Sequence, residues 1–334
     1  MGNLPAARLQ GLRAFHTVGI DYAGPITLKY RKGRGVPTHK GWICVFVCFT
    51  TKAVHLEAVS DMTSEAFIAA FRRFVSRRGK PAHIHSDNGS NFVGAEKELR
   101  LLFDQENQQQ LTQVAADQGI QWHFIPPAAP HMGGLWEAAV KSAKFHLRRI
   151  FKEALLSYEE LSTVLCQIEA CLNSRPLCPL TEDPSCDDAL TPGHFLIGQP
   201  LNAAPDPFLT TLKENSLSRW QYCQRLTQLF WQRWSNEYLS TLQQRNKWRT
   251  TQGDACEGQL VVVKDDNQPP NKWKLGVIAT VHPGKDERVR VVTVRTAQGE
   301  FQRPIVKLIP LYVDPLGQRG AACLEQQQKE EEAD

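Results

Sequence analysis

From Thr17 to Ser60, three stretches rich in β-branched and aromatic residues, "TVGIDYAGPITLKY", "WICVFVCF" and "KAVHLEAV", predict three successive strands. The connection between the first two, "KYRKGRGVPTHKG", is basic and glycine-containing, as a solvent-exposed hairpin loop should be. Thr63 offers an N-cap for "SEAFIAAFRRFVSRRG", whose apolar residues recur at helical spacing until Gly79 stops them. A short strand, "PAHIHSD", follows. "NFVGAEKELRLLF" and "QQLTQVAADQG" predict helices around a Gln-rich connection, and "IQWHFI" another strand. After "PPAAPHMGG" the pattern predicts a long helix from about Leu135 to Lys152 and a further one from Tyr158 to Asn173. The second should end there because the residue before Pro176 is biased away from helical angles.

Beyond residue 178 the pattern changes. Trp220, Cys223, Leu226, Phe230, Trp234 and Tyr238 recur every three or four positions, predicting an amphipathic helix that reaches Trp248. Gly253 then opens a region of four or five short strands, "QLVVVK", "WKLGVIATV", "RVRVVTVRT" and "EFQRPI", joined by turn residues, which reads as a small barrel. The expected division is a tail (1–14), an α/β core (15–178), a helical extension (179–252), a β barrel (253–312) and an acidic disordered tail (313–334).

Composition narrows the classes. At 334 residues and 42% hydrophobic the chain supports packed cores, and its longest apolar run, Trp42–Phe49, is far short of the ~20 residues of a membrane span. Nine cysteines without a framework predict reduced thiols in a soluble intracellular chain. The net charge is +4, but residues 313–334 hold six acidic and two basic side chains, so the remainder stands near +8. A modestly basic body of this kind is compatible with a nucleic-acid partner.

Three acidic residues sit at edges of elements rather than on solvated faces: Asp21 within the first strand, Asp87 ending the fourth, and Glu137 opening the long helix after Gly133–Gly134. Each has a plain reading: a strand solubiliser, an Asp-Asn-Gly turn, and a favourable first-turn charge. At 100° per residue, Glu137, Lys141, Lys144, Arg148 and Lys152 fall within an arc of about 80°. Ala139, Val140, Ala143, Leu147, Ile150 and Phe151 take a separate, core-directed arc. The plain reading of the charged arc is a solvated face with one Glu–Lys pair.

Taken together, the strand Asp21, the run Ser86-Asp87-Asn88-Gly89 continuing to Phe92, and Gly133-Gly134 leading to Glu137 resemble the retroviral and retrotransposon integrase core. "VGIDYAGP" (18–25), "IPPAAPHMGGLWEAAVKS" (125–142), "LNSRPL" (172–177) and "LTPGHFLIGQPL" (190–201) are similar to Bel/Pao-type LTR retrotransposon integrases. The stretch 273–311 looks like the C-terminal domain of the same elements. The resemblance implies a ribonuclease H-like core with a mixed five-stranded sheet, a helical linker and an SH3-like barrel.

For activity the resemblance implies 3′-end processing and DNA strand transfer, with element ends and target DNA as partners and a homo-oligomer assembled on them. Neither a membrane nor a small-molecule substrate is expected. An in-line displacement at phosphorus is served by two cations ~3.5–4 Å apart, and hard Mg²⁺ (or Mn²⁺) needs only one or two carboxylates per ion. Asp21 is then the ligand shared by both ions, with Asp87 and Glu137 binding one each. Lysines at the Lys141 and Lys144 positions contact the element's DNA end in similar integrases. Arg148, Lys152, Asn88 and His131 join them as expected DNA contacts, and Arg288 and Arg290 as contacts of the barrel. A nuclear location follows from such a substrate.

Other features are discounted. Cys44 and Cys48 read as core packing rather than a metal pair. His83 and His85 alternate onto the side of Asp87 and read as ordinary strand histidines. No His-His-Cys-Cys module precedes Asp21, so the chain is expected to be a fragment, a truncated gene product or a shortened derivative. The alternatives are a host-retained DNA- or chromatin-binding derivative without integration activity, and a nuclease of the same fold that only hydrolyses.

Overall fold

The computed structural model of the chain describes residues 13–33, 35–87, 89, 92–97, 119–124, 134–152, 154–181, 188–202, 206–242, 255–265, 268–284 and 288–311, with backbone alone over 134–142. Packing divides it into two units. One comprises the described residues up to Asn173 together with Pro192–Trp234; the other comprises Ser174–Thr191 and the described residues from Ser235 onward. The expected N-terminal tail to residue 12, the Gln-rich connection and the acidic C-terminal tail lie outside the described residues.

The first unit is built on a mixed sheet. Strands β1 (Thr17–Lys29), β2 (Thr38–Cys48) and β3 (Val54–Val59) run antiparallel, while β4 (His83–Ser86) and β5 (Gln121–Phe124) add in parallel on the other side of β1, giving the order β3-β2-β1-β4-β5. A sixth strand, β6 (Leu156–Ser157), pairs with the far end of β1 at Leu28 and Lys29. Two residues give no periodicity, so sequence reading had no means to find it.

Between β3 and β4 lies α1 (Ser64–Arg78). Thr63 is its N-cap, its hydroxyl accepting the Ala66 N–H at 3.2 Å, and Gly79 ends it at φ 83°. Its buried face, Phe67, Ile68, Phe71 and Phe74, packs with Val18, Ile20, Phe46 and Ile84 of the sheet. Cys44 and Cys48 are buried free thiols in this same core, as expected of them. Helices α2 (Gly134–Phe151) and α3 (Tyr158–Asn173) also pack on the sheet, α2 on β1 and β2, α3 on β3. Covered by α1 and α3, β3 is buried at all six positions, His55 and Glu57 included.

The outer rim of β3 is met by side chains rather than by a strand. Asn173 accepts the Val54 N–H (2.8 Å) and donates to the Val54 carbonyl (2.7 Å). Glu169 accepts the Leu56 N–H at 2.9 Å. The Ala58 carbonyl accepts from Arg73 and from the Tyr158 hydroxyl, each at 2.9 Å. Behind this rim His55 bridges Glu57 (2.9 Å) and Glu169 (3.1 Å), and Arg73, Arg77 and Arg78 close the pairs from α1. Burial opposes charge on all three inner groups. The mutual hydrogen bonds and the arginines overcome it, so His55 is shifted up and both carboxyls down.

The last α-helix among the described residues, α4 (Arg219–Leu242), begins where the periodicity of its aromatic residues predicts a start; residues 243–254, over which it was expected to continue to Trp248, lie outside the described residues. Phe230, Trp231 and Trp234 are buried, so this aromatic run packs into the protein. Arg219 grips the buried carboxylate of Glu160 through two bonds of 3.0 and 2.6 Å.

The second unit contains five antiparallel strands in the order β12-β11-β10-β9-β13, where β9 is Leu260–Val263, β10 Leu275–Pro283, β11 Val289–Thr296, β12 Gly299–Pro304 and β13 Leu308–Pro310. Two further two-residue strands, β7 (Cys178–Pro179) and β8 (Ala189–Leu190), pair with each other. Leu260 and Val262 face one apolar cluster with Val277, Ile309 and Leu239; Val261 and Val263 face another with Ile278, Val292 and Val294. This makes "LVVV" an unbroken apolar run. The expected strand "EFQRPI" stops at Pro304, and Ile305–Lys307 form a 3₁₀ turn.

Candidate active site

Asp21 sits in mid-β1, opposite Val45 of β2. Its neighbours Val18 and Ile20 point into the core against α1, so the period-2 alternation turns Gly19 and Asp21 to the other face, where α2 packs on β1. β1 and β4 pair in parallel with Thr17 opposite His83, Val18 opposite Ile84 and Gly19 opposite His85, a constant offset of 66. Asp87 is 66 positions beyond Asp21. Asp87 lies one residue past the end of β4, so the same offset carried two residues beyond the last pair would set it level with Asp21.

Their surroundings differ. Asp87 is exposed just past the end of β4, and its Oδ1 accepts the Gly89 N–H at 3.0 Å, tightening the Asp-Asn-Gly turn. The turn is anchored by buried Ser86, whose hydroxyl donates to the Asp87 carbonyl (2.9 Å) and accepts the Trp122 indole N–H (2.8 Å). Asp21 is partly buried. Its Oδ1 accepts the Tyr22 N–H at 2.7 Å and its Oδ2 is ion-paired with the Lys144 ammonium of α2. Just beyond, at Gly24, β1 bulges against β2.

Glu137 lies in the first turn of α2, seven residues before Lys144 and hence on the same helical stripe, two turns or ~10.5 Å along the axis. Its side chain, and that of Lys141, lie outside the described atoms, as do Asn88 and His131 altogether. Arg148 is exposed further along α2 and Lys152 just past its end. Arg288 and Arg290 are exposed at the start of β11 in the second unit.

A histidine patch was only half visible in the sequence. His83 and His85 are joined by His123 of β5, with His83 Nδ1 and His123 Nε2 at 3.2 Å and the rings of His85 and His123 stacked at 4.7 Å. Phe49 stacks on His85 at 4.7 Å. Burial, and then the neighbouring His123 and His83, lower the pKa of His85 to about 4. A histidine opposite His85 could have been suspected from the shared His-x-His and Trp-His-Phe alternation.

Among the described residues no group of three His, Cys, Asp or Glu side chains converges to hold a metal. Asp21 and Asp87 offer hard oxygen donors without sulfur or imidazole, the preference of Mg²⁺ and Mn²⁺. One of them already carries a positive group, the Lys144 ammonium. The chemistry of the site suits a hard cation.

Three antiparallel strands with two more added in parallel give the sheet of a ribonuclease H-like fold. Residues 21–130 match the integrase core domain family, and residues 218–311 match a family of unknown function, DUF5641. Similar solved structures include a chain of the simian T-cell lymphotropic virus intasome bound to the PP2A regulatory subunit B56 gamma, 16% identical, covering 91% of this chain and 81% of that one at a TM-score of 0.34. The HTLV-2 integrase catalytic core domain with magnesium, in its trimeric form, is 20% identical, covering 56% of this chain and 99% of that one at a TM-score of 0.32. No curated protein matches the chain.

Proposed function

We propose that the protein is an integrase of a Bel/Pao-type LTR retrotransposon, a polynucleotidyl transferase that trims the 3′ ends of the element's DNA and joins them to target DNA. The observation that carries this reading is Asp21 within β1 and Asp87 just past the end of the parallel neighbour β4, with the Lys144 ammonium of α2 ion-paired to Asp21. Asp21, Asp87 and Glu137 would hold two Mg²⁺ or Mn²⁺ ions, Asp21 touching both. When bound, such ions stabilise charge on the attacking and leaving oxygens of an in-line displacement at phosphorus. The protein's own groups position the DNA: Lys141, Lys144 and Arg148 of α2 with Lys152 just after it, together with Asn88 and His131, and Arg288 and Arg290 of the second unit. No side-chain nucleophile is required, since water or a 3′-hydroxyl attacks. Joining two ends together calls for a homo-oligomer on DNA, and the substrate places the protein in the nucleus.

The deciding experiment is cleavage and rejoining of a branched DNA that mimics the integration product, with Mg²⁺ or Mn²⁺ and an Asp87→Asn control. The expected result is metal-dependent rejoining by the wild type and none by the control. Salt-sensitive binding without rejoining, from a well-folded preparation, overturns the transferase reading in favour of a DNA-binding derivative.

A further inference from the structure

Of the described cations on the charged stripe of α2, Arg148 and Lys152 face solvent, whereas Lys144 turns inward to Asp21. Both oxygens of that carboxylate are engaged, Oδ1 by the Tyr22 N–H and Oδ2 by the ammonium. A divalent cation and an ammonium cannot share Oδ2, because like charges at contact distance repel strongly in a partly buried setting. The ammonium is nevertheless a removable partner. It sits on a flexible four-carbon stem, and about a quarter of the side chain remains exposed to solvent, from which a phosphate could draw it.

We propose that the Lys144–Asp21 pair is an exchangeable lock that couples metal binding to DNA binding: the ion pair holds the site closed to cations until a DNA phosphate takes Lys144 and a divalent ion takes Asp21. This rests on the integrase reading above. Each incoming ligand frees the partner the other needs. Binding of one therefore strengthens binding of the other, and linkage requires the factor to be the same in both directions. A partly exposed ion pair is worth a roughly 1.5- to 5-fold change in affinity, and relief of cation–cation repulsion adds to it. Lys144 is thus a positioning residue whose first role is exercised before any DNA arrives.

The test is a Mn²⁺ titration of the full chain followed by electron paramagnetic resonance of the free ion, with and without branched DNA. Without DNA, Lys144→Met should bind Mn²⁺ at least about threefold more tightly than wild type, and Lys144→Arg should behave like wild type. With DNA, Mn²⁺ binding should tighten more in wild type than in Lys144→Met, because phosphate ligation persists in both but release of the lock remains only in the former. Equal DNA-free affinities, or an equal effect of DNA in both proteins, overturn the proposal. An Asp21→Asn control separates the two readings. Mn²⁺ binding that depends on Asp21 but ignores Lys144 sinks the lock alone; Mn²⁺ binding absent or indifferent to Asp21 sinks the metal site and the lock together. Lys144→Gln, read by the same titration, decides the matter if Lys144→Met does not fold.

Discussion

Gly24 lies so close to Trp42 that a Cβ added to it would meet the indole Cδ1 at 2.8 Å and stand 3.3 Å from the Gly41 carbonyl oxygen. Its φ of +142° is also one that other residues rarely adopt. This glycine forms the bulge three residues after Asp21, in the "DYAGP" stretch. Gly24→Ala should cost about 1–3 kcal/mol by strain at this backbone position. Thermal unfolding of the two proteins measures it, and an unchanged midpoint would refute it.

Asn173 stands for a second, less visible kind of support. Both of its amide atoms bond the backbone of Val54, 119 residues away, and it is fully buried. Asn173→Ala leaves a buried N–H and a buried carbonyl without partners, at about 1–3 kcal/mol each. Chemical denaturation should show a loss of roughly 2–5 kcal/mol with the slope unchanged. Asn173→Asp, which keeps only the acceptor, should lie between alanine and wild type.

The His55 network predicts a stability maximum on the mildly acidic side of neutrality. Folding raises the pKa of His55 above its ordinary 6.5, because bonds to Glu169 and Glu57 outweigh burial; its contribution is full below 6.5 and is lost as pH rises through the folded value. Folding lowers Glu57 and Glu169 below their ordinary 4.5, with bonds from His55 again overcoming burial. Their contribution is present above 4.5 and lost as pH falls through the folded values. Melting temperature followed from pH 4 to 9 should therefore peak between these limits. Replacing His55 by Gln should flatten the alkaline fall; an alkaline slope that survives the change would assign it elsewhere.

Arg148 of α2 and Lys152 just past its end, both exposed, carry a prediction that does not depend on chemistry at the site. If each neutralises one phosphate, Arg148→Ala and Lys152→Ala should each lower the log–log salt slope of DNA binding by ~0.9. Fluorescence anisotropy across a range of salt reads the slope directly. Weaker binding with an undiminished slope would place these side chains away from the DNA backbone.

Local chemistry explains what the sequence made legible and what it hid. Thr63 and Gly79 bracket α1 because capping is decided within four residues, and the β-branched runs around Asp21 and Cys44 announce strands through their own composition. Asp87 and Asp21 could be singled out by motif, and their matching positions follow once β1 and β4 are known to be parallel. Nothing local announces that Lys144 reaches Asp21, that Glu169 meets His55, or that Asn173 of "LNSRPL" serves a strand rather than a substrate. Those partners are 123, 114 and 119 residues apart, and polar pairing across such distances leaves no periodic trace. His123 escaped notice for a related reason: its relation to His85 exists only across the β4–β5 pairing.

The side-chain rim of β3 also bears on how copies of the protein can associate. An unpaired strand edge invites another chain to continue the sheet. Here the outward groups of Val54, Leu56 and Ala58 are taken by Asn173, Glu169, Arg73 and Tyr158, and the opposite border is β5, only four residues long. Among the described residues, one margin is closed by side chains and the other is short. If the protein gathers as a multimer on DNA, as proposed, its copies would meet through outer surfaces, the rim of β3 being closed to strand addition.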